Sequence, residues 1–408
     1  MNHHIAVYIN NKNNKEHLID CIQTGDFIYD FSELNGVLFS EITLNKFISE
    51  ERIHGHYEVF TDTKNTLEHA SSGERKKALL KYLIAQNPEY IIVDNVFGNL
   101  DVAAQKDIIN QISDLAACIP VIQITNRKQE ILPIVNKVYQ IKEDNTLVLF
   151  DSSFNTVASS NTNFINALPQ DYQFKKERYN PVVNFKNVSV AYHERPIING
   201  INWEIKTGEF WQLIGPNGSG KSTMLSMIFG DNPKAYGQDI ILFGRQKGSG
   251  ESVWEIKKKI GYFSSDMLRG FNRRDSIGNM IVSGFFDTIG LYKTPTNQQI
   301  KIAHQWLRVL GMFDIRKQCF LTLSRGHQVL VLIARAMVKH PPLLILDEPT
   351  NGLDDFDVKI FTELVNKIAL ETETAILYVS HRKEQGLEPD YIYKLTPNET
   401  GSIGQVVE

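Results

Sequence analysis

Cysteine is scarce in this chain. There are three in 408 residues, Cys21, Cys118 and Cys319, far apart and with no C-x-x-C spacing. That argues against a disulfide framework or a cysteine zinc site and predicts a reducing compartment. Long apolar runs are lacking too. No stretch approaches the roughly 18 uninterrupted apolar residues that a membrane-crossing helix needs. The N-terminus, Met-Asn-His-His-Ile-Ala-Val-Tyr, has neither the basic region nor the apolar core of a secretory signal. A soluble, cytoplasmic protein is expected. Charge of one sign is missing as well: the net charge is −4 and the pI near 6.3, so there is no general basic field for nucleic acid. The longest pure basic run, Lys257-Lys258-Lys259, reads as a solvated helix face. His3-His4 reads as a flexible terminal dipeptide rather than a metal pair.

The length predicts two domains or more, each able to bury a core. The most informative segment is Gly215, Pro216, Asn217, Gly218, Ser219, Gly220, Lys221, Ser222, Thr223. It fits the phosphate-binding pattern G-x-x-x-x-G-K-[S/T]. Glycines let backbone N–H groups wrap phosphate oxygens closely. Lys221 reaches the β- and γ-phosphates, and the Ser222 hydroxyl suits Mg²⁺. The flanks agree. Phe210–Ile214 reads as a buried parallel strand, and residues 221–229 as a helix whose N-terminus faces the phosphates.

Further along, Leu343-Leu-Ile-Leu-Asp347-Glu348 reads as a central strand ending in two carboxylates. Asp347 is expected to orient Mg²⁺ together with Ser222. Glu348 is expected to polarise the attacking water or accept its proton. His381 follows the apolar run 375–380, where a neutral imidazole can hydrogen-bond a γ-phosphate and the attacking water. Tyr192, 23 residues before Gly215, either stacks on an adenine ring or packs in the core.

Together these residues resemble the ATP-binding cassette (ABC) family over residues 183–408. The matching motifs are the phosphate loop, a signature-like Leu323-Ser324-Arg325-Gly326-His327, the Asp347-Glu348 pair, the loop Gly352-Leu353-Asp354 and His381. The resemblance implies ATP hydrolysis with Mg²⁺ where the phosphate loop of one cassette faces the signature of another. Two positions depart from the family. Gln328 stands one place late in the signature. Ser265 stands where members carry a glutamine that touches Mg²⁺ and relays movement to a membrane partner; whether Asp266 beside it replaces that glutamine is left open by the sequence. The second departure weakens the expectation of transporter coupling.

The first half repeats the second. Ser71/Ser324, Pro88/Pro341, Asp94/Asp347 and Asp101/Asp354 share one offset of 253. Thr24-Gly25-Asp26-Phe27 also echoes Thr207-Gly208-Glu209-Phe210, at a different offset. The copy is depleted. Residues 28–36 contain no Gly-Lys-Ser, Asn95 replaces the glutamate, and Asn126 stands for the histidine. Gly36 and Ser71 are 35 residues apart, against 104 from Gly220 to Ser324, so most of a helical subdomain is expected to be missing. The signature segment Ser71, Gly73, Glu74 survives and leads into a helix expected over 74–86. Its N–H groups can meet a γ-phosphate bound elsewhere.

The expected class is therefore α/β: a P-loop NTPase fold in two tandem cassettes. Residues 1–150 form a reduced cassette without a phosphate loop, 151–180 a polar linker, and 181–408 a complete cassette. Segments such as Leu242-Phe-Gly-Arg245, Trp254-Glu-Ile-Lys-Lys258 and Val338-Lys-His-Pro341 resemble the twin-cassette ATPases of the ModF and PhrA type, the molybdenum-transport ATP-binding and photorepair proteins. Nothing in the chain reads molybdate, flavin or damaged DNA. The expected function is an Mg-ATP-dependent ATPase with one competent site. It acts either as a soluble switch on a cytoplasmic partner or as the subunit energising a separate membrane permease. Its cassettes pair within the chain or in a homodimer.

Overall fold

Apolar runs bounded by turn residues become parallel strands in both halves of the computed structural model. It describes residues 4–11, 13–62, 66–98, 100–142, 146–150, 164–170, 178–271, 273–381 and 383–407, with Arg269 as backbone only. His3 and residues 151–163 and 171–177 of the expected linker lie outside the described residues. The chain divides into two compact units, Met1–Ser160 with Gly352–Phe356, and Asn161–Asn351 with Asp357–Glu408.

The first unit runs β1 (Ile5–Tyr8), α1 (Lys15–Thr24), β2 (Gly36–Ser40), α2 (Glu41–His54), α3 (Ser72–Ala85), β3 (Tyr90–Asp94), α4 (Val102–Ala116), β4 (Val121–Thr125), β5 (Lys137–Ile141) and β6 (Leu147–Leu149). Its sheet has the order β2-β3-β4-β1-β5-β6, parallel except for β6. Successive residues of β3 feed opposite cores. Ile91 and Val93 pack with Leu79, Leu83 and Ile108, while Ile92 packs with Ile5, Val7 and Ile22. A sheet covered on both faces needs apolar residues at every position, which is why β3 reads as a continuous apolar run. Local signals close the helices: Asn14 caps the start of α1, Asp101 caps α4, and Gly25 ends α1 at φ 83°.

In the second unit, the hairpin β7 (Val183–Tyr192) and β8 (Arg195–Ile205) precedes β9 (Phe210–Ile214) and α5 (Lys221–Ile228). Then come β10 (Asp239–Leu242), β11 (Arg245–Gln246), α6 (Val253–Lys258), β12 (Ile260–Ser264) and α7 (Met267–Gly270). Helices α8 (Ile277–Ser283), α9 (Asn297–Val309) and α10 (Arg325–Met337) follow. The unit ends with β13 (Leu343–Asp347), α11 (Asp355–Glu371), β14 (Ala375–Val379), β15 (Tyr391–Thr396) and β16 (Ile403–Val407). An antiparallel sheet, β11-β10-β7-β8, packs through Phe185, Trp203 and Ile240 into one core with Trp211, Leu213 and Leu377 of the main sheet. Of the expected linker, Phe164 and Leu168 are buried. Asn166 Nδ2 donates to Arg308 O at 2.9 Å, and Leu168 N to Glu371 Oε2 at 3.0 Å. Those residues belong to the second unit's packing. No helix among the described residues is long and apolar enough to cross a membrane.

The second main sheet has the order β12-β13-β14-β9-β15-β16, strand for strand that of the first unit. The offset between equivalent strands is 206 at the ends of β1 and β9 (Tyr8, Ile214), 224 for β2 and β12, and 253 for β3 and β13. The first unit is thus 18 residues shorter (224 − 206) where the second carries β10, β11 and α6. It is 29 shorter (253 − 224) where the second carries α7 to α9. Backbone conformation repeats as well. Asn87 and His340 lie at φ 51° and 50°, and Asn95 and Glu348 at 44° and 46°. Asn tolerates this left-handed region better than most residues.

This topology corrects one alignment. Thr24-Gly25-Asp26-Phe27 ends α1 and does not lead into the strand equivalent to β9; that strand is β1. The echo with Thr207–Phe210 is local, since Gly25 and Gly208 are both turn glycines at φ 83° and 78°.

Gly36 has no room for a side chain, because a Cβ there falls 2.0 Å from the Tyr90 ring. Gly36→Ala is expected to cost about 1–3 kcal/mol through overpacking, read as a lower midpoint in urea unfolding. An unchanged midpoint means that β2 is not held against β3 in this register.

Candidate nucleotide site

The loop from β9 to α5 is shaped by its glycines. Gly218 and Gly220 sit at φ 77° and 94°, and a Cβ on Gly220 would meet Ile198 Cγ2 at 2.6 Å. Gly220 is also the N-cap of α5 and offers no side chain to its N–H groups. They stay available for an acceptor, at the positive end of the helix. Lys221 Nζ donates to Gly215 O at 2.6 Å and Pro216 O at 3.0 Å, which places the ammonium inside the loop. Ser219 Oγ is buried without a hydrogen-bond partner, while Asn217 and Ser222 are exposed. Thr223 follows in the first turn of α5.

Asp347 ends β13, paired in register with Ser264 of β12 and Val379 of β14. Its carboxyl is pushed up to about 6, first by burial and then by the charge of Glu348. The Tyr262 hydroxyl, 3.4 Å from Oδ2, and Lys221 act the other way. A half-buried carboxylate within reach of Lys221, together with the exposed hydroxyl of the next residue, Ser222, is a hard-oxygen donor set that fits Mg²⁺. Ser265 N donates to Asp347 O at 3.3 Å, and Asp266 lies close enough to raise the same carboxyl.

Glu348 and His381 meet. Nδ1 of His381 lies 2.9 Å from Glu348 Oε1, and the imidazole side chain is 2% exposed against 23% for the carboxylate. A carboxylate only accepts, so Nδ1 carries the hydrogen. Nε2 is buried with no hydrogen-bond partner. This refines the expectation of a neutral imidazole. With Nδ1–H given to Glu348, Nε2 of a neutral ring can accept from water, but it needs a second ring proton to donate to a phosphate oxygen.

Tyr192 is 40% exposed at the end of β7, not in the core, and its hydroxyl accepts from Asn232 Nδ2 at 2.9 Å. Each signature-like serine caps a helix. Ser324 Oγ accepts from His327 N at 3.4 Å and bonds His327 Nδ1 at 2.8 Å. Gln328, one place late, turns inward to Phe320 O at 3.2 Å. Ser71 and Glu74 form a reciprocal capping box, with Glu74 N to Ser71 Oγ at 3.3 Å and Ser71 N to Glu74 Oε2 at 2.9 Å. Gly326 lies against Asp357, 2.0 Å from where its Cβ would stand, whereas a Cβ on Gly73 would meet Ala104 at 3.3 Å.

Sequence reasoning missed the first unit's counterpart of the phosphate loop. Six residues, 9–14, join β1 to Lys15, the first residue of α1, just as six residues, 215–220, join β9 to Lys221. Lys15 stands where Lys221 stands. Its Nζ lies 2.9 Å from Asp94, the equivalent of Asp347, whose side chain is 1% exposed. Side chains take up N–H groups here: Asn14 accepts from His17 N at 3.1 Å, Asn13 from Asn10 N at 2.9 Å, and Asp354 from Asn11 N at 2.8 Å. The one available signal was the spacing from apolar strand to lysine.

A family profile described as ABC transporter matches residues 198–351. The chain is 38% identical over 328 residues to the ABC transporter ATP-binding protein ModF of Escherichia coli K12, covering 77% of this chain and 67% of that protein. The chain belongs to the ATP-binding cassette family. An uncharacterized ABC transporter ATP-binding protein of Schizosaccharomyces pombe is 27% identical over 332 residues, 79% of this chain and 66% of its own length. The alignments thus span about two thirds of both relatives. The zinc uptake system ATP-binding protein ZurA of Listeria innocua is 38% identical over 204 residues, 50% of this chain and 77% of its own. Archaeal ribosome recycling factor aABCE1, solved in complex with ribosomal stalk protein aP1, shares the fold. Its TM-score is 0.61 at 13% identity, over 98% of this chain and 84% of that one. As a member of this family the chain is an ATP hydrolase.

The raised carboxyl of Asp347 carries a stability consequence. Its folded value of about 6 exceeds the ordinary 3.8, so stability falls as pH rises from about 4 to 6, and the cost persists above that range. Asp347→Asn is therefore expected to raise the melting temperature of the metal-free protein at pH 8 and to leave it nearly unchanged at pH 4. Equal shifts at the two pH values contradict this origin.

Proposed function

We propose that the chain is an Mg-ATP-dependent ATPase with one competent nucleotide site, built by the second unit and used as a soluble, ATP-driven switch. The Glu348–His381 contact, facing a loop whose helix N-terminus is uncapped, is the observation that carries this reading. Backbone N–H groups of 215–223 and Lys221 hold the phosphates, and Tyr192 meets the adenine. Glu348 takes the proton of the attacking water, and His381 accepts from that water through Nε2, or donates from it to the γ-phosphate when the ring carries a second proton. Ser222 and Asp347 would hold Mg²⁺, which neutralises phosphate charge when bound.

The first unit binds no nucleotide. Its loop has no glycine, its helix is capped by Asn14, its lysine is paired with Asp94, and Glu16 stands where Ser222 would hold the metal. What it retains is the signature segment Ser71, Gly73, Glu74, the pattern expected when only that part is still used. Comparing Ser71→Arg with Ser324→Arg in an ATPase assay tells which signature serves the site, since both serines stand at helix caps. Gly326→Asp does not serve, because the new side chain would drive into Asp357.

Ser265 in the place of the coupling glutamine and the shortened first unit support a cytoplasmic partner. The permease reading is favoured by relatives named for zinc uptake. A membrane protein that co-purifies with the chain, and without which turnover stops, would establish it.

Lys221→Ala is expected to abolish binding of fluorescent ATP. Glu348→Gln is expected to keep binding but lower turnover about a hundredfold or more. Unchanged affinity or unchanged rate, respectively, refutes the assigned role. Calorimetry is expected to give one ATP per chain, and two would show that the first unit binds as well.

A further inference from the structure

The loops that carry Glu348 and His381 share a second contact with no assigned role. Thr350, two residues after Glu348, donates from Oγ1 to Glu384 Oε1 at 2.7 Å, and Glu384 lies three residues after His381. Both residues are 2% exposed. The bond therefore joins the loop leaving β13 to the loop leaving β14, the same two loops that carry Glu348 and His381. Glu348 needs such support. It holds a left-handed backbone at φ 46°, a conformation unfavourable for Glu, and its N–H donates to Val379 O of β14 at 2.9 Å. A buried carboxylate is costly unless hydrogen-bonded, so a glutamate at this depth points to a constraint worth that cost.

The first unit supplies an internal comparison. Asn95 N donates to Ile124 O at 3.1 Å just as Glu348 N donates to Val379 O, which aligns Asn126 with His381 at an offset of 255. By these offsets Thr350 corresponds to Phe97, which is buried, and Glu384 to Gln129, which is exposed. The brace is absent there, and so are the glutamate and the histidine. The loop framework is common to both units. The Thr–Glu bond accompanies the chemistry alone.

We propose that Thr350 and Glu384 are positioning residues for ATP hydrolysis: their buried hydrogen bond locks the two loops so that Glu348 and His381 stay in contact. This rests on the ATPase reading of the site. The role is geometric, since both side chains are buried.

The test is steady-state ATPase kinetics on the full chain, with ATP affinity measured separately by titration. Thr350→Val removes the hydroxyl at nearly constant volume. It is expected to lower kcat about ten- to a hundredfold while ATP affinity stays within twofold. Glu384→Ala is expected to do the same, and the double variant to be no slower than the slower single one, since one interaction is lost in each. Thr350→Ser and Glu384→Gln keep a donor and an acceptor and are expected to restore most of the rate. In a Glu348→Gln background, Thr350→Val is expected to change the residual rate by less than twofold. A kcat within twofold of wild type for Thr350→Val overturns the proposal. So does a parallel fall of affinity and rate, which marks a general packing role, or a further tenfold loss in the Glu348→Gln background. Loss of ATP binding by the wild-type chain would instead sink the ATPase reading itself.

Discussion

The register of two parallel strands decides most of what this molecule can do. Asp347 of β13 lies opposite Val379 of β14, so the residues just beyond, Glu348 and His381, leave the sheet side by side. Only then can a carboxylate and an imidazole stand 2.9 Å apart. A slip of one residue would turn alternate side chains to the other face and separate them. The same sheet places β9 beside β14, so the glycine loop opens at the same edge. Loops at the carboxyl ends of parallel strands are where such sheets bind ligands.

The two units apply one framework to different ends. Strand order, left-handed positions and capped signature helices recur in both. Charge is handled differently. In the second unit Lys221 is held by loop carbonyls, neutral groups that give way readily to phosphate, and Asp347 keeps an elevated pKa with no cation bonded to it among the described contacts. In the first, Lys15 and Asp94 neutralise each other at 2.9 Å. Burial raises the Asp94 carboxyl, and Lys15 pulls it back. Separating that pair would leave a charge in a site that is nearly dry, a large penalty.

The loops leaving β13 and β14 illustrate how backbone strain is tolerated. Glu348 occupies a backbone region that an asparagine fills more easily at Asn95. The cost is offset by neighbours. A backbone bond to Val379 of β14, the His381 contact and the buried Thr350–Glu384 bond lie within the same two loops.

Much of this was legible in the sequence, because the relevant signals are local. The phosphate loop, its flanking strand and helix, the carboxylate pair and the repeat at offset 253 depend on spacing and residue type within short windows. What the sequence concealed depends on long-range pairing. Without glycine, the loop at 9–14 carries no local mark. It became recognisable only when β1 took the central place in its sheet, between β4 and β5. The misleading echo at Thr24–Phe27 arose because two turn glycines share a conformation without sharing a position. The exposure of Tyr192, the inward turn of Gln328 and the Thr350–Glu384 bond likewise followed from packing. By itself the sequence determined which chemistry is available, since residue identity fixes donors, acceptors and charge. Tertiary structure decided which of those groups meet, because contact between residues tens to hundreds of positions apart is set by strand order and register.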